Sequence, residues 1–457
     1  VAILALDIVY DALSATDIEA CEKVISDKIF TCNRTGSWAD IRRGTHGTWD
    51  IYKGVRKTPD NDYYNGIMIQ VTDDGVSPVT NHYAWERVGG GDSRISKSGY
   101  MDVLEFTGID KRYYSSEKLR KFQRWLFGSS VNCSKQMAIF GDMLPNQGLN
   151  FDMLHMRVVN FDDEAAGYAA WFHHGKTPKG NIISYIIPVK ALPEKVTPPS
   201  RLYTNGGAFF RDRQDDPSGL HGVLYNIKSQ DEWHTHYEVN GLALSGYGNR
   251  LLVNGGRLGE PVRPAPLNNT LTINGENNKS RLGGGITEGF TGINIDYACG
   301  LSGPALQGST HRRSLIQLHR SDFTTPCFII IDDVETSPGN KVKNYFHPAN
   351  QTDVAELSPL TEYSAVIDHY QAVQGTKVSF FYVTPPVTVK VEKVQSAVPD
   401  RYPGYPDHNR IESAFDIGAT GKIKIITIIY PTGGAVAKPP ISRISAAGVQ
   451  GGKIICP

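Results

Sequence analysis

The stretch Glu232–Gly256, EWHTHYEVNGLALSGYGNRLLVNGG, decides how the rest of this chain is read. It opens with His234 and His236, whose i, i+2 spacing on an extended strand points both imidazoles to one face. Val239, Leu242 and Leu244 follow in alternation with polar residues, and Tyr247-Gly248-Asn249 marks a turn. Leu251-Leu252-Val253 then reads as a second apolar strand, which completes a hairpin-like unit.

C-terminal to this unit the same period of two continues. NTLTING, RRSLIQLHR and CFIIIDDVE are short strands, and a polar stretch around 335–350, ETSPGNKVKN, suggests a boundary. TKVSFFYVT, PVTVKVEKV and KIKIITIIYP then form a further antiparallel unit. On the N-terminal side, MRVVNF, YAAWFH, NIISYIIPV, GAFFRDR and GVLYNIK also read as strands, so the period changes from helical to two after about residue 150. Before that point, VAILALDIVYDAL predicts one helix. Ser14 to Asp17 is a capping-box-like start for another, with Ile18, Cys21, Ile25 and Ile29 on one face. Trp38 to Gly99 is read as loop-rich, and helices return at SGYMDVLEFTG and SSEKLRKFQRWLFG. A helical part is thus followed by one large and one small β part, an α+β chain of several domains.

Composition narrows the function classes. At 457 residues, with 40% hydrophobic and 21% charged residues, the chain is long enough for two or three cores. Its formal net charge is zero, so no global field draws it to nucleic acid, and no apolar run is long enough to span a membrane. Affinity for a polyanion must come from a local cleft. Cys21, Cys32, Cys133, Cys299, Cys327 and Cys456 form no CxxC pair, which argues against a zinc ribbon, and their pairing stays open. The chain starts at Val1 inside an apolar helical pattern, without Met or signal peptide, so a processed or truncated start is expected.

The segments GAFFRDR, GVLYNIK, WHTHYEVNGLALSGYGNRLLVNGG, NNTLTING, HRRSLIQLHRSDF and FIIIDDVE together resemble the central β-sandwich of heparinase II/III-type polysaccharide lyases. The helical part resembles the (α/α) toroid of the same superfamily, which includes the family-eight chondroitin and hyaluronate lyases. Gly47-Thr48-Trp49-Asp50 is similar to its N-W-x-D loop, and the segments around His82 and Tyr100 to those bearing its catalytic histidine and tyrosine. The resemblance covers most of residues 1–340. It implies a toroid portion with active-site loops at 1–150, a central antiparallel β-sandwich at 151–340 and a C-terminal β domain at 341–457. The helical part is about half the usual toroid length, so N-terminal helices are expected to be missing from this chain.

Such lyases cleave a uronic-acid polymer by β-elimination. The proton beside the carboxylate is weakly acidic, so the carboxylate must be neutralised while a base removes the proton and an acid protonates the leaving oxygen. The resemblance assigns Tyr100 as acid, His82 or its rival His46 as base, and His234 as a histidine reaching over the cleft from the sandwich. His46 is also a candidate for carboxylate neutralisation, because Gly47 stands where the family-eight loop has asparagine. Asn81, Tyr83, Trp49, Trp85 and Arg87 are candidate substrate contacts, since aromatic rings fit sugar faces and arginine pairs with carboxylates. The family-eight arginine after the last toroid helix is replaced here by IFGDMLPNQG, and Arg42, Arg43, Arg87 or Arg94 would have to supply that charge.

No metal or redox cofactor is required by this chemistry. His236 occupies a position that binds a structural zinc in some members. That site also needs an aspartate and a third histidine, and their positions here hold Asn254 and Asn268. Amides are poor zinc ligands, so His236 is a weak metal candidate and a hydrogen-bonded network is expected instead. The expected partner is an anionic polysaccharide, with no nucleic acid and no membrane insertion, and the expected location is secreted or periplasmic. The alternatives are a glycoside hydrolase using two carboxylates from among Asp50, Asp73, Asp74 and Glu86, or a non-catalytic carbohydrate-binding protein on a lyase scaffold.

Overall fold

The computed structural model describes residues 2–31, 39–77, 99–143, 158–174, 191–212, 215–229, 234–256, 263–321, 325–368, 374–394, 407–433, 441–446 and 449–454. Helices come first and antiparallel sheets follow, an α+β arrangement. Two compact units result. One comprises Val1–Gly75, His82–Gly128 and Leu149–Thr197, and the other Val76–Asn81, Ser129–Gly148 and Pro198–Pro457. The expected divisions at 150 and 340 are therefore drawn differently by the contacts. The helical unit runs on to 197, and both β parts fall in one unit.

In the helical unit, α1 (Ala2–Val9) leads into α2 (Ala15–Phe30), whose N-terminus is capped by Ser14 Oγ accepting from Asp17 N at 3.2 Å. The cap satisfies an amide that the helix itself cannot. The region read as loop-rich contains two helices, α3 (Ala39–Tyr52) and α4 (Asn61–Met68). The misreading has a physical source. ADIRRGTHGTWDIY carries two glycines and two threonines, poor helix formers, and tertiary packing overrides that preference. Trp49 supplies the packing, buried in a cluster with Ile3, Ile29, Ile25 and Tyr52. Further along come α5 (Gly99–Phe106), α6 (Arg112–Ser115) and α7 (Glu117–Arg124).

A second correction concerns MRVVNF and YAAWFH, which were expected as strands. Residues 158–161 are helical, and Asp163–Phe172 forms α8, capped by Asp162 accepting from Ala165 N at 2.8 Å. Four alanines and a capping aspartate outweigh the short aromatic run. Asp162 is also gripped by Arg124 of α7 at 2.6 Å, which ties the two helices together.

The β unit begins with a five-stranded antiparallel meander of β1 (Arg201–Tyr203), β2 (Gly207–Arg211), β3 (His221–Tyr225), β4 (Gly241–Gly246) and β5 (Asn249–Arg250). The apolar strand expected at 251–253 is not one. β5 ends at Arg250, and Leu252 makes only an isolated bridge to Pro348. The next strands are β6 (Leu271–Ile273), β7 (Ile286–Phe290), β8 (Ile295–Leu301), β9 (Thr310–Leu318), β10 (Cys327–Glu335) and β11 (Lys341–Phe346). They are followed by β12 (Ala355–Ser358), β13 (Glu362–Val366), β14 (Lys377–Tyr382), β15 (Thr388–Val394), β16 (His408–Asp416) and β17 (Lys422–Thr432). An eight-stranded sheet has the order β12-β13-β14-β17-β10-β9-β8-β7, and a four-stranded sheet the order β15-β16-β11-β6. A final hairpin pairs β18 (Ile441–Ala446) with β19 (Val449–Ile454). The turn at 337–340 joins β10 of the large sheet to β11 of the small one, so both sheets draw strands from either side of the boundary read near 340.

One buried charge pair fastens these layers. Arg313 of β9 and Asp332 of β10 are both fully buried, with Nε donating to Oδ1 at 2.6 Å. The same guanidinium donates to Asn344 Oδ1 of β11 at 2.8 Å, and through Nη1 to the carbonyls of Asn240 and Asn269 at 2.9 Å each. Removing one member of a buried pair strands the other charge without compensation, at a cost of about 3–5 kcal/mol. Arg313→Ala is accordingly expected to lower the urea midpoint of the β unit by a corresponding amount. An exposed arginine such as Arg312→Ala should move it by under ~1 kcal/mol.

Candidate functional site

In the helical unit, the sequence candidates Tyr100, His46 and Trp49 are all described. His82, Asn81, Tyr83, Trp85, Arg87 and Arg94 lie outside the described residues. Tyr100 is the second residue of α5 and only 1% exposed. Its ring lies against the backbone of Gly47 on α3. A Cβ built at Gly47 would sit 2.1 Å from Tyr100 Cζ and 2.4 Å from its hydroxyl. The phenol therefore fills the space that a side chain at position 47 would take, and any Cβ there must displace the ring.

The Tyr100 hydroxyl donates to Asp60 Oδ2 at 3.4 Å. Asp60 is itself a hub. Its Oδ1 accepts from Tyr63 N at 3.1 Å, capping α4, and from Arg43 Nη2 at 3.1 Å, while Arg56 Nη2 stands 3.8 Å from Oδ2. Burial pushes the Tyr100 phenol well above its ordinary value. Arg56 opposes this, and the Asp60 carboxylate adds to it. The phenol is thus held protonated, in the state of a proton donor. Arg43 is committed to Asp60 and to Asp62 at 2.9 Å. Arg56 and Asp60 were not singled out in the sequence, because nothing in local spacing connects them to Tyr100 forty positions on.

His46 lies on α3 beside Gly47, its ring edge-on to Phe30 at 5.2 Å, and its buried Nε2 has no hydrogen-bond partner among the described residues. Trp49 is 7% exposed and packs into the core of its unit, with Lys53 Nζ 5.8 Å from its ring. In the described residues this ring packs α3 against α1 and α2.

The second constellation lies in the β unit, around His234 and His236. Neither is on a strand. Both sit in the irregular segment that precedes β4, so their common direction comes from a shared partner and not from strand alternation. That partner is Asp142, from the IFGDM stretch. Its Oδ2 accepts from His234 Nδ1 at 2.7 Å and from Arg263 Nη2 at 3.1 Å, and its Oδ1 accepts from His236 Nε2 at 2.9 Å. Asp142 N returns a hydrogen bond to His234 O at 3.1 Å. Burial alone would raise the carboxyl of Asp142, but hydrogen bonds from His234, His236 and Arg263 hold it well below the usual carboxylate range.

Beneath this hub sits Glu238, which is fully enclosed. Its Oε1 accepts from Gly141 N at 2.5 Å. Burial raises its carboxyl from 4.5 to about 7, against the opposing pull of His236 and of hydrogen bonds from Gly141 and Asn254. Asn254 Nδ2 donates to Gly141 O at 3.0 Å, and its Oδ1 accepts from Gly256 N at 3.0 Å. Asn268 Oδ1 faces His236 Nδ1 at 3.0 Å, while its Nδ2 donates to the carbonyls of Pro264 and Arg263 at 2.9 and 3.2 Å.

These residues do not fit a zinc ion. Both nitrogens of His236 are spent on Asp142 and Asn268, and the oxygen of Asn254 is spent on a backbone amide. Among the described residues no group of three or more His, Cys, Asp or Glu could hold a metal. Sequence reasoning missed Asp142, Arg263 and Glu238. Asp142 stood in plain view in the stretch noted for its lost arginine, but its partners are 92 to 121 positions away.

No protein-family model and no curated protein matches the sequence. Solved structures do. A heparinase III gene product superimposes with a TM-score of 0.65 at 15% identity, over 94% of this chain and 65% of that one. Heparan sulfate lyase HepC from Pedobacter heparinus gives 0.65 at 16% identity, over 95% and 65%. A further heparinase III gives 0.63 at 13% identity, over 94% and 66%. The chain thus has the heparinase III-type lyase fold, helices followed by a β-sandwich, and spans about 65% of the length of the structures it matches.

Two substitutions test the geometry. Gly47→Ala gains roughly 1 kcal/mol of helix propensity, yet it must displace the Tyr100 ring. Overpacking of that kind costs about 1–3 kcal/mol, so net destabilisation is expected in thermal unfolding. Glu238 sets a pH dependence. Its folded pKa exceeds the unfolded one, so between about pH 4.5 and 7 the unfolded chain releases this proton first. Stability therefore declines as pH rises through that window and levels off above it. Glu238→Gln should flatten that decline and be the more stable protein at pH 8, read from urea midpoints across the range.

Proposed function

We propose that this chain is a polysaccharide lyase that cleaves a uronate-containing anionic polysaccharide, of the glycosaminoglycan or alginate kind, by β-elimination. The observation that carries the reading is the fold shared over nearly the whole chain with heparinase III and a heparan sulfate lyase. The reaction proceeds by removal of the C5 proton, formation of the C4–C5 double bond, and departure of the O4 oxygen with a proton from the acid. Tyr100 is the acid, a role supported by a phenol whose burial keeps the proton on it. The base is His82 or His46, and His234 of the β unit is a further catalytic candidate. The protein acts outside the cytoplasm, where such polymers are met.

Ultraviolet absorbance during incubation with alginate, heparan sulfate, chondroitin sulfate and hyaluronan tests this, since elimination creates a conjugated double bond and hydrolysis does not. A rising signal supports the reading. New reducing ends without absorbance would replace it with a hydrolase, and binding with neither would replace it with a non-catalytic glycan-binding protein. Tyr100→Phe is expected to cut turnover by on the order of 10²–10⁴-fold. Losing one long hydrogen bond should cost the fold no more than about 1 kcal/mol. Undiminished turnover by that variant would remove Tyr100 from the chemistry.

A further inference from the structure

The hydrogen bonds around His236 leave little choice about its protons. Asp142 accepts from three nitrogens and is ionised, so the His236 Nε2 that meets its Oδ1 at 2.9 Å must donate. On the other side, Asn268 faces two carbonyls, Pro264 O at 2.9 Å and Arg263 O at 3.2 Å, toward which only the NH2 end of its amide can turn. Its carbonyl oxygen is thereby turned to His236 Nδ1 at 3.0 Å, and that nitrogen must donate as well. Turning the Asn268 amide over would set its oxygen against two other oxygens. A histidine that donates from both nitrogens is an imidazolium.

We propose that His236 is a doubly protonated, fully buried imidazolium clamped between Asp142 and Asn268, and that Asp142 is the positioning residue that fixes the proton of His234. The charges close around it. The ionised Asp142 faces the imidazolium, the Arg263 guanidinium and His234, and Glu238 is the fifth ionisable group of the cluster. A buried cation is retained only when paired and hydrogen-bonded, and His236, with no exposed surface, meets both conditions. The consequence reaches His234. Its Nδ1 donates to Asp142 Oδ2, so in the neutral ring the proton is on Nδ1 and the lone pair is on Nε2. The use of that lone pair in catalysis rests on the lyase reading, whereas the proton pattern does not.

Ring-nitrogen NMR on the full chain labelled with 15N at its 13 histidines tests this at neutral pH, with His236 assigned from the His236→Gln spectrum. Both His236 nitrogens are expected to resonate as protonated, and His234 to show a proton on Nδ1. A bare nitrogen on His236 overturns the proposal. Asn268→Leu removes one acceptor, and His236 is expected to fall back to a single protonated nitrogen. Retention of both protons there would overturn the assignment to Asn268. Asp142→Asn is expected to release the second proton of His236, switch His234 to the other tautomer, and lower kcat by up to about 10⁴-fold, the scale for a catalytic histidine held in the wrong tautomer. An Asp142 with only a structural role would leave both ring patterns as they are. Added zinc should leave the wild-type ring signals unchanged, and their stoichiometric loss would show that the site takes a metal. A flat absorbance trace with an intact His236 pattern removes the lyase reading alone. Full turnover with a bare nitrogen on His236 removes this one alone.

Discussion

The β unit depends on the guanidinium of Arg313. Five donors in a fixed plane allow one side chain to hold groups from several directions, which a lysine could not do. Arg313 grips Asp332 within its own sheet and Asn344 in the four-stranded sheet, and it caps the carbonyls of Asn240 and Asn269. Those two residues matter because of what precedes them. Asn240 ends the segment that carries His236 and Glu238, and Asn269 follows Asn268. Asn240 has φ 57°, a left-handed conformation that asparagine tolerates better than most residues. Its side chain is fixed by Asn226 at 2.6 Å. The site segment is thus set by a buried ion pair in the adjoining sheets, and its rigidity comes from the sandwich core.

Each unit solves the same electrostatic problem in the same way. Asp60 in the helical unit and Asp142 in the β unit are nearly inaccessible carboxylates that gather donors from separated parts of the chain. Asp60 collects a helix amide, Arg43 and the Tyr100 hydroxyl, with Arg56 close by. Asp142 collects two imidazoles and a guanidinium. A buried carboxylate without partners would be costly, so multiple charge-assisted hydrogen bonds are what make it tenable. Once satisfied, it dictates where the protons of its neighbours reside. Tyr100 keeps its proton next to one hub, and His234 orients its proton toward the other.

What the sequence made legible follows from the range of the interactions. The Ser14 cap is local, three residues from its partner, and it was readable. The apolar alternation of β9, β10, β14 and β17 was readable for the same reason. The histidine pair was noticed, but on the wrong backbone, because i, i+2 spacing cannot distinguish a strand from an irregular segment whose side chains converge on one carboxylate. α3 was hidden by glycine and threonine until Trp49 found its cluster, and α8 was hidden because its alanines and aromatics carry no periodicity. Asp142 left no pattern at all. Its importance arises only when the fold brings residues 234, 236 and 263 around it.

The departures from the family pattern in this segment are consistent with one another. An aspartate at 254 would set carboxylate oxygens against Gly141 O, which the Asn254 amide now reaches at 3.0 Å. It would also add negative charge beside Glu238, a carboxyl already raised by burial. A histidine at 268 could not reproduce the amide that feeds two carbonyls with one end and faces His236 with the other. The same amides that are poor metal ligands are therefore the groups that this network requires, and Asp142 supplies the negative charge that it needs. Consistency of this kind across separate positions favours one well-defined native arrangement. The carboxylate hub, the two amides and the histidine pair constitute one solution, in which hydrogen bonds to a buried ion pair do the orienting.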